Sequence, residues 1–158
     1  MKFADFVCFE ASVNDLAASE RDEAIAELID SLVKAGKVDK KLQNQITKAV
    51  VERENEASTG MGKGVAIPHV KHKEVKNVIA VIGRSNKGID FASLDKQPVY
   101  SVILILSPNS DPDKHLKAME NIFRNLQQEK FRKFLRNAET PTQIKELLNE
   151  ADENPDFY

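Results

Sequence analysis

The sequence predicts an α/β fold, a sandwich with a central mixed β-sheet flanked by helices on both faces. Two apolar runs carry that prediction. Val78-Ile79-Ala80-Val81-Ile82 and Val99-Tyr100-Ser101-Val102-Ile103-Leu104-Ile105-Leu106 are short, β-branched and apolar on successive residues, as strands covered on both faces are. Before and after them, apolar residues recur at helical spacing and supply the covering layers. The chain of 158 residues fits one compact domain with a sizeable core. That core is expected over about residues 6–149, with an acidic tail from Asp152 to Tyr158 that frays.

The elements follow in order. Residues 1–14 are mixed, with a short strand predicted from Val7 to Val13. Ser19-Glu20-Arg21-Asp22 offers an N-cap and first-turn acids to a helix carrying Ile25, Leu28, Ile29, Leu32 and Val33. Gly36 stands where the C′ residue belongs. A second helix starts near Asp39, with Leu42, Ile46, Ala49 and Val50 on one face. Arg53 extends that stripe in the last turn, where a cation meets the negative helix end. It either snorkels to water, pairs, or reaches into the loop that follows. After a polar connection from Lys71 to Lys76 come the two apolar runs, the first ending at Gly83. Turn signals lie between them at Lys87-Gly88 and Asp95-Lys96. Asp111-Pro112-Asp113 opens a helix with proline in its first turn, its apolar face formed by Leu116, Met119, Ile122, Phe123 and Leu126. A helix over Glu129–Asn137 turns Phe131, Phe134 and Leu135 inward. The last helix begins at the Thr140 N-cap with Pro141 at N1 and carries Ile144, Leu147 and Leu148.

The composition excludes several functions. A formal charge of −2 gives no basic field for nucleic acid. No apolar run approaches the ~20 residues of a membrane span, and no secretory signal opens the chain. Cys8, the single cysteine, excludes an internal disulfide and a thiolate-rich zinc site, and suits a reducing cytosol. Within Phe6-Val7-Cys8-Phe9 it reads as a small buried side chain.

Chemistry concentrates in Ser58-Thr59-Gly60-Met61-Gly62-Lys63-Gly64-Val65-Ala66-Ile67-Pro68-His69. The glycines permit positive φ and close backbone approach. Pro68 then stiffens the chain and holds Ile67 extended, so His69 follows a rigid segment. Its imidazole is either a packed loop histidine, its tautomer fixed by a backbone partner, or a nucleophile. His115 falls in the first turn of the helix that begins near Pro112. It is either a surface histidine or a neutral ring able to donate to an anion at the helix N-terminus. His72 reads as an exposed polar residue among lysines. On an extended segment it points away from His69, so the two do not form a metal pair. The glycine-rich loop is no P-loop, because Lys63 is followed by Gly64 and an extended segment rather than by Ser or Thr opening a helix. No serine–histidine–acid signature indicates a hydrolase.

Arg53-Glu54 with the stretch from Ser58 to His69 resembles the signature of the type-2 IIA domain of the bacterial phosphoenolpyruvate-dependent phosphotransferase system, the fructose, mannitol and nitrogen-regulatory class. Gly88-Ile89-Asp90-Phe91 and His115-Leu116-Lys117-Ala118-Met119-Glu120-Asn121-Ile122 are similar to that family too. The likeness runs from about Phe6 to Asn149. Met61 and Lys63 stand where the family more often has isoleucine and asparagine. The resemblance implies the sandwich of phosphotransferase/anion-transport-protein type and a phosphoryl relay. A histidine carrier protein of HPr type donates to His69, and a IIB cysteine or a regulatory target receives the group or its signal. His115 would be the second active-site histidine and Arg53 the nearby cation, with no cofactor and no metal. Met61 and Val70 are candidates for an apolar rim. With no IIB cysteine in view, the free-standing nitrogen-regulatory type is favoured over a sugar-specific component.

Overall fold

The computed structural model describes residues 1–155 and shows an α/β architecture on one mixed sheet. The strands are β1 (Gly60–Gly62), β2 (Val65–Ala66), β3 (His69–His72), β4 (Ile79–Ile89) and β5 (Val99–Pro108); the helices are α1 (Phe3–Phe6), α2 (Arg21–Lys34), α3 (Gln43–Glu56), α4 (Pro112–Leu126), α5 (Glu129–Asn137) and α6 (Pro141–Glu153). Strand β5 is central. Strand β4 runs antiparallel along one side of it. Strands β2 and β3 lie in line along the other, both parallel to it, and β1 pairs antiparallel with β2.

Because successive strand residues face opposite ways, the two apolar runs supply two cores. Val65, Ile67, Ala80, Ile82, Ile103 and Ile105 pack with residues of α1, α4, α5 and α6. Ala66, Val81, Val102, Leu104 and Leu106 pack on the other face with residues of α2 and α3. Each fully buried aliphatic side chain contributes roughly 1.5–3 kcal/mol, which is why neither face carries a polar stripe.

The helix ends follow local chemistry. Gly36 has φ +75°; its N–H donates to Val33 O at 3.0 Å and that of Lys37 to Leu32 O at 2.9 Å, closing α2 in a Schellman motif. Thr140 Oγ1 accepts from Gln143 N–H at 3.2 Å at the start of α6, and Asp111 Oδ1 accepts from Lys114 N–H at 3.2 Å at the start of α4. The start of α2 differs from expectation: Glu20, not Ser19, is its N-cap. Asp39 caps a single 3₁₀ turn, Lys40–Leu42, before α3 begins.

Five further expectations are corrected. Val7–Val13 is not a strand. Its two ends bridge to Ala80 and Gly83, but Phe9–Ala11 between them form a 3₁₀ turn. Strand β4 does not stop at Gly83; it runs on to Ile89, and the Lys87-Gly88 signal becomes a bulge, with Gly88 at φ +89°. The buried face of α4 is His115, Ala118, Asn121, Ile122, Asn125 and Leu126, so of the expected apolar face Ile122 and Leu126 are buried while Leu116 and Phe123 are exposed. Phe134, expected inward, is exposed as well. In α5 Phe131 and Leu135 are buried as expected, whereas in α4 polar His115, Asn121 and Asn125 take part of the buried face. Finally, Asp152 belongs to α6, and its carboxylate accepts from Phe3 N–H at 2.7 Å and Ala4 N–H at 2.9 Å. Of the predicted tail, residues 156–158 lie outside the described residues. Among the described residues no helix is long and apolar enough to cross a membrane.

Candidate active site

The glycine-rich stretch is a tight hairpin rather than a slack loop. Strands β1 and β2 are joined through Gly62, Lys63 and Gly64, all at positive φ. Asp95 pins the turn by accepting from Lys63 N–H at 2.9 Å and Gln97 N–H at 3.0 Å. These bonds hold its carboxyl below the ordinary carboxylate range.

From that hairpin the chain passes through Ile67 and Pro68 into β3. Pro68 O accepts from Ile105 N–H at 3.0 Å, so the proline segment is fixed to the central strand. Strand parity then places His69 with Val65 and Ile67 on the α4 side. Its ring is half-buried, and Nδ1 lies 2.8 Å from Ile67 O. A carbonyl only accepts, so Nδ1 carries the proton and Nε2 keeps its lone pair.

His115 comes from the first turn of α4 and is 8% exposed. Its ring centroid is 5.8 Å from that of His69, with 42° between the planes. Its Nδ1 is 2.6 Å from the hydroxyl of Ser107, which is fully buried near the end of β5. Ser107 shares the face of Ile103 and Ile105 by strand parity.

Both rings are poised to be neutral. Burial is the main cause that lowers the His69 pKa from the ordinary 6.5; the bond to Ile67 opposes it, the charge of Arg53 reinforces it, Glu54 opposes and Lys71 reinforces. For His115 the causes are burial, then the charges of His69 and Lys71, and all lower it.

Arg53 sits in the last turn of α3, half-exposed, with Nη1 donating to Ala57 O at 3.2 Å. It therefore satisfies an orphan carbonyl at the helix end while its charge is felt at His69. It does not extend the buried stripe, which instead runs Ile46, Val50, Glu54. Of the three predicted residues, the two histidines thus meet with ring centroids 5.8 Å apart, while Arg53 donates to Ala57 O and its charge lowers the His69 pKa.

Two further buried polar residues at the site, Glu54 and Ser107, are not among the residues singled out from the sequence. Glu54 was noted only as the neighbour of Arg53, although its place four after Val50 was a signal. Ser107 directly follows the second apolar run, and its parity with Ile105 is the signal in the sequence. Met61 packs on the α4-side core and Val70 on the opposite one, so only Met61 shares the side of His115. His72 is half-buried, with Nδ1 accepting from Glu74 N–H at 3.1 Å. A cleft of about 980 Å³ lined by Cys8, Val38, Ile46, Val75 and Leu106 includes neither catalytic candidate ring nor Arg53.

Comparison with known proteins identifies the family of the chain. The family model described as "Phosphoenolpyruvate-dependent sugar phosphotransferase system, EIIA 2" matches residues 9–151. The chain is 33% identical over 152 residues to the fructose-specific EIIABC component of Bacillus subtilis, covering 96% of this chain but 24% of that protein. It therefore spans about a quarter of that relative's length. It is also 33% identical over 136 residues to a nitrogen regulatory protein of Bradyrhizobium diazoefficiens, covering 86% of this chain and 87% of that one. Among solved structures, nitrogen regulatory protein IIA-Ntr from Neisseria meningitidis superposes with a TM-score of 0.83 at 22% identity, over 92% of this chain and 98% of its own. The Escherichia coli mannitol enzyme IIA, solved in complex with phosphorylated enzyme IIB, gives 0.72 at 23% identity, over 89% and 94%. This chain belongs to the EIIA 2 family of the phosphoenolpyruvate-dependent sugar phosphotransferase system.

Proposed function

We propose that this chain is a type-2 IIA phosphoryl carrier, a phosphotransferase working through phosphohistidine at His69. The observation that supports this most is the His69 ring: Nδ1 is committed to Ile67 O, leaving Nε2 as the nucleophile beside a second imidazole. The lone pair of Nε2 attacks phosphorus of a carrier protein's phosphohistidine. As the new N–P bond forms, the old one breaks and its electron pair returns to the carrier's ring. Onward transfer reverses the roles: a IIB cysteine thiolate attacks, and the pair returns to Nε2.

Charge on the group in flight spreads over its equatorial oxygens, so positioning and electrostatics dominate. Arg53 supplies a fixed positive charge. His115 supplies a donor, for which Ser107 Oγ–H donates to Nδ1 and leaves the proton on Nε2. The His115 and His69 tautomers are then opposite, one ring donating and the other attacking.

The HPr-like carrier docks on the surface around these rings. On α4 the exposed Leu116 and Phe123 flank the half-buried Met119, an apolar stripe beside His115 suited to a transient protein interface. We place the reaction in the cytoplasm, where the buried thiol of Cys8 stays reduced.

A second reading is that the phosphorylation state is itself the signal to a regulatory target, favoured by the nitrogen regulatory relative. Incubation with phosphorylated IIB domain and pull-down with unphosphorylated bait separate the two. Phosphoryl exchange with IIB supports the relay, and capture of a defined target only by the unphosphorylated form supports the regulatory role.

A further inference from the structure

Glu54 is a carboxylate buried to 2% exposure in the last turn of α3, and no step above uses it. Burying such a group unpaired costs several kcal/mol, so its partners indicate what it holds. Both are on Thr59: the backbone N–H donates to Oε2 at 2.6 Å, and the hydroxyl donates to Oε1 at 2.7 Å. Thr59 in turn offers its carbonyl to Ile67 N–H at 3.3 Å, and Ile67 O holds His69 Nδ1 at 2.8 Å.

We propose that Glu54 is a positioning residue for His69, acting through Thr59 and Ile67 to fix the ring's tautomer and aim. The chain of contacts runs from α3, across the start of the hairpin, to the carbonyl that selects the attacking nitrogen. It also explains why a loop with three left-handed residues still presents one histidine geometry: its entry is clamped by a charge-assisted pair of bonds, and its exit by the bond from Ile105 to Pro68. The carboxylate has a second effect. The charged groups acting on His69 are Arg53 and Glu54 from α3 and Lys71 from β3, with the titratable ring of His115 facing it from α4. Among these Glu54 alone is negative and offsets Arg53.

This inference rests on the phosphocarrier reading, so its test has one arm that does not. The first arm is nitrogen-15 NMR of the unphosphorylated His69 ring. In the wild type the Nδ1–H tautomer dominates. In Glu54→Ala, with Thr59 released, both tautomers appear. The second arm is single-turnover acceptance of phosphoryl from phospho-HPr across pH. Glu54→Ala lowers the maximal rate at least tenfold, with KM for the carrier within twofold. Thr59→Val, which keeps the backbone bond, falls between it and wild type. Glu54→Gln restores the bonds by accepting from Thr59 N–H and donating to the hydroxyl. It keeps the wild-type tautomer, but without the negative charge its acid limb moves to lower pH. A purely structural role would not move that limb.

A folded Glu54→Ala with wild-type tautomer and rate overturns the proposal. If Glu54→Ala does not fold, the other two variants decide. Thr59→Val at wild-type rate together with a Glu54→Gln profile superimposed on wild type also overturns it. If the wild type takes no phosphoryl group at His69, the functional reading fails instead, and the tautomer measurement still judges the role of Glu54.

Discussion

Burial pulls protons off His69 and His115, and that has a consequence for stability as well as for chemistry. Both rings have folded-state pKa values below the ordinary 6.5. The unfolded chain therefore binds more protons than the native one as pH falls below 6.5, so stability is full above that value and declines beneath it. The urea midpoint is expected to drop between pH 7.5 and 5.5, and His115→Gln is expected to flatten the drop. A midpoint that rises on acidification over that range contradicts the burial of neutral rings. For transfer, His115→Ala and Arg53→Ala are each expected to slow single-turnover acceptance by roughly 2–4 kcal/mol of transition-state stabilisation, as loss of other oxyanion donors does. Ser107→Ala removes the bond that orients His115 and costs less, about 1 kcal/mol. Equal rates in all three variants would remove the second ring and the cation from the site. A glycine-rich, proline-stiffened motif marks the place of His69, a helix start that of His115 and a helix's last turn that of Arg53, while the roles proposed for them come from the family resemblance. Glu54 and Ser107 were not legible, because an acid in a buried stripe and a serine closing an apolar run make sense only once a partner faces them.

The hairpin that precedes His69 depends on glycine at one position for space. A Cβ at Gly60 would stand 2.9 Å from Ser93 Cα and 3.0 Å from its Cβ, too close for any side chain. Gly60→Ala is expected to lose about 1–3 kcal/mol of stability by overpacking and to slow phosphoryl acceptance through the displaced loop. Gly36 makes the contrasting case. At φ +75° with nothing within 4 Å of a built Cβ, Gly36→Ala costs about 1–2 kcal/mol from left-handed geometry alone and leaves the transfer rate unchanged. Denaturant melts of both variants beside their transfer rates check this pair; a slowed Gly36→Ala would show that the far end of α2 is coupled to the site. At this scale β5 and the first half of β4 were readable as continuous apolar runs, and the helix ends at Gly36, Pro112 and Thr140 from cap chemistry; the second half of β4, beyond Gly83, was not. The short strands β1, β2 and β3 were not. They are two to four residues long, too short for a period to show; β2 and β3 form because β5 offers them an edge, and β1 forms by pairing with β2. The α4 face was misread because polar His115 and Asn125 occupy buried positions while Leu116 faces out.

For the molecule as a whole, the sheet forms a rigid partition with the histidine pair at the border of the α4 layer. In the relay proposed above, the protein donor approaches from that side, across the stripe of Leu116, Met119 and Phe123. With Leu116 57% exposed, Leu116→Asp is expected to fold as the wild type does while raising the KM for phospho-HPr about tenfold with little change in maximal rate. An unchanged KM would place the docking face elsewhere. The sandwich itself was legible before any coordinates, because two continuously apolar runs need cover on both faces. The convergence of α3, β3 and α4 on one point was not, since residues distant in sequence meet there through strand register. The most direct test of the relay is to incubate the protein with phosphoenolpyruvate, enzyme I and HPr, then map the modified peptide. The expected result is one acid-labile phosphoryl group on His69, absent from His69→Ala. A phosphoryl group on another residue, or one that persists in His69→Ala, contradicts it.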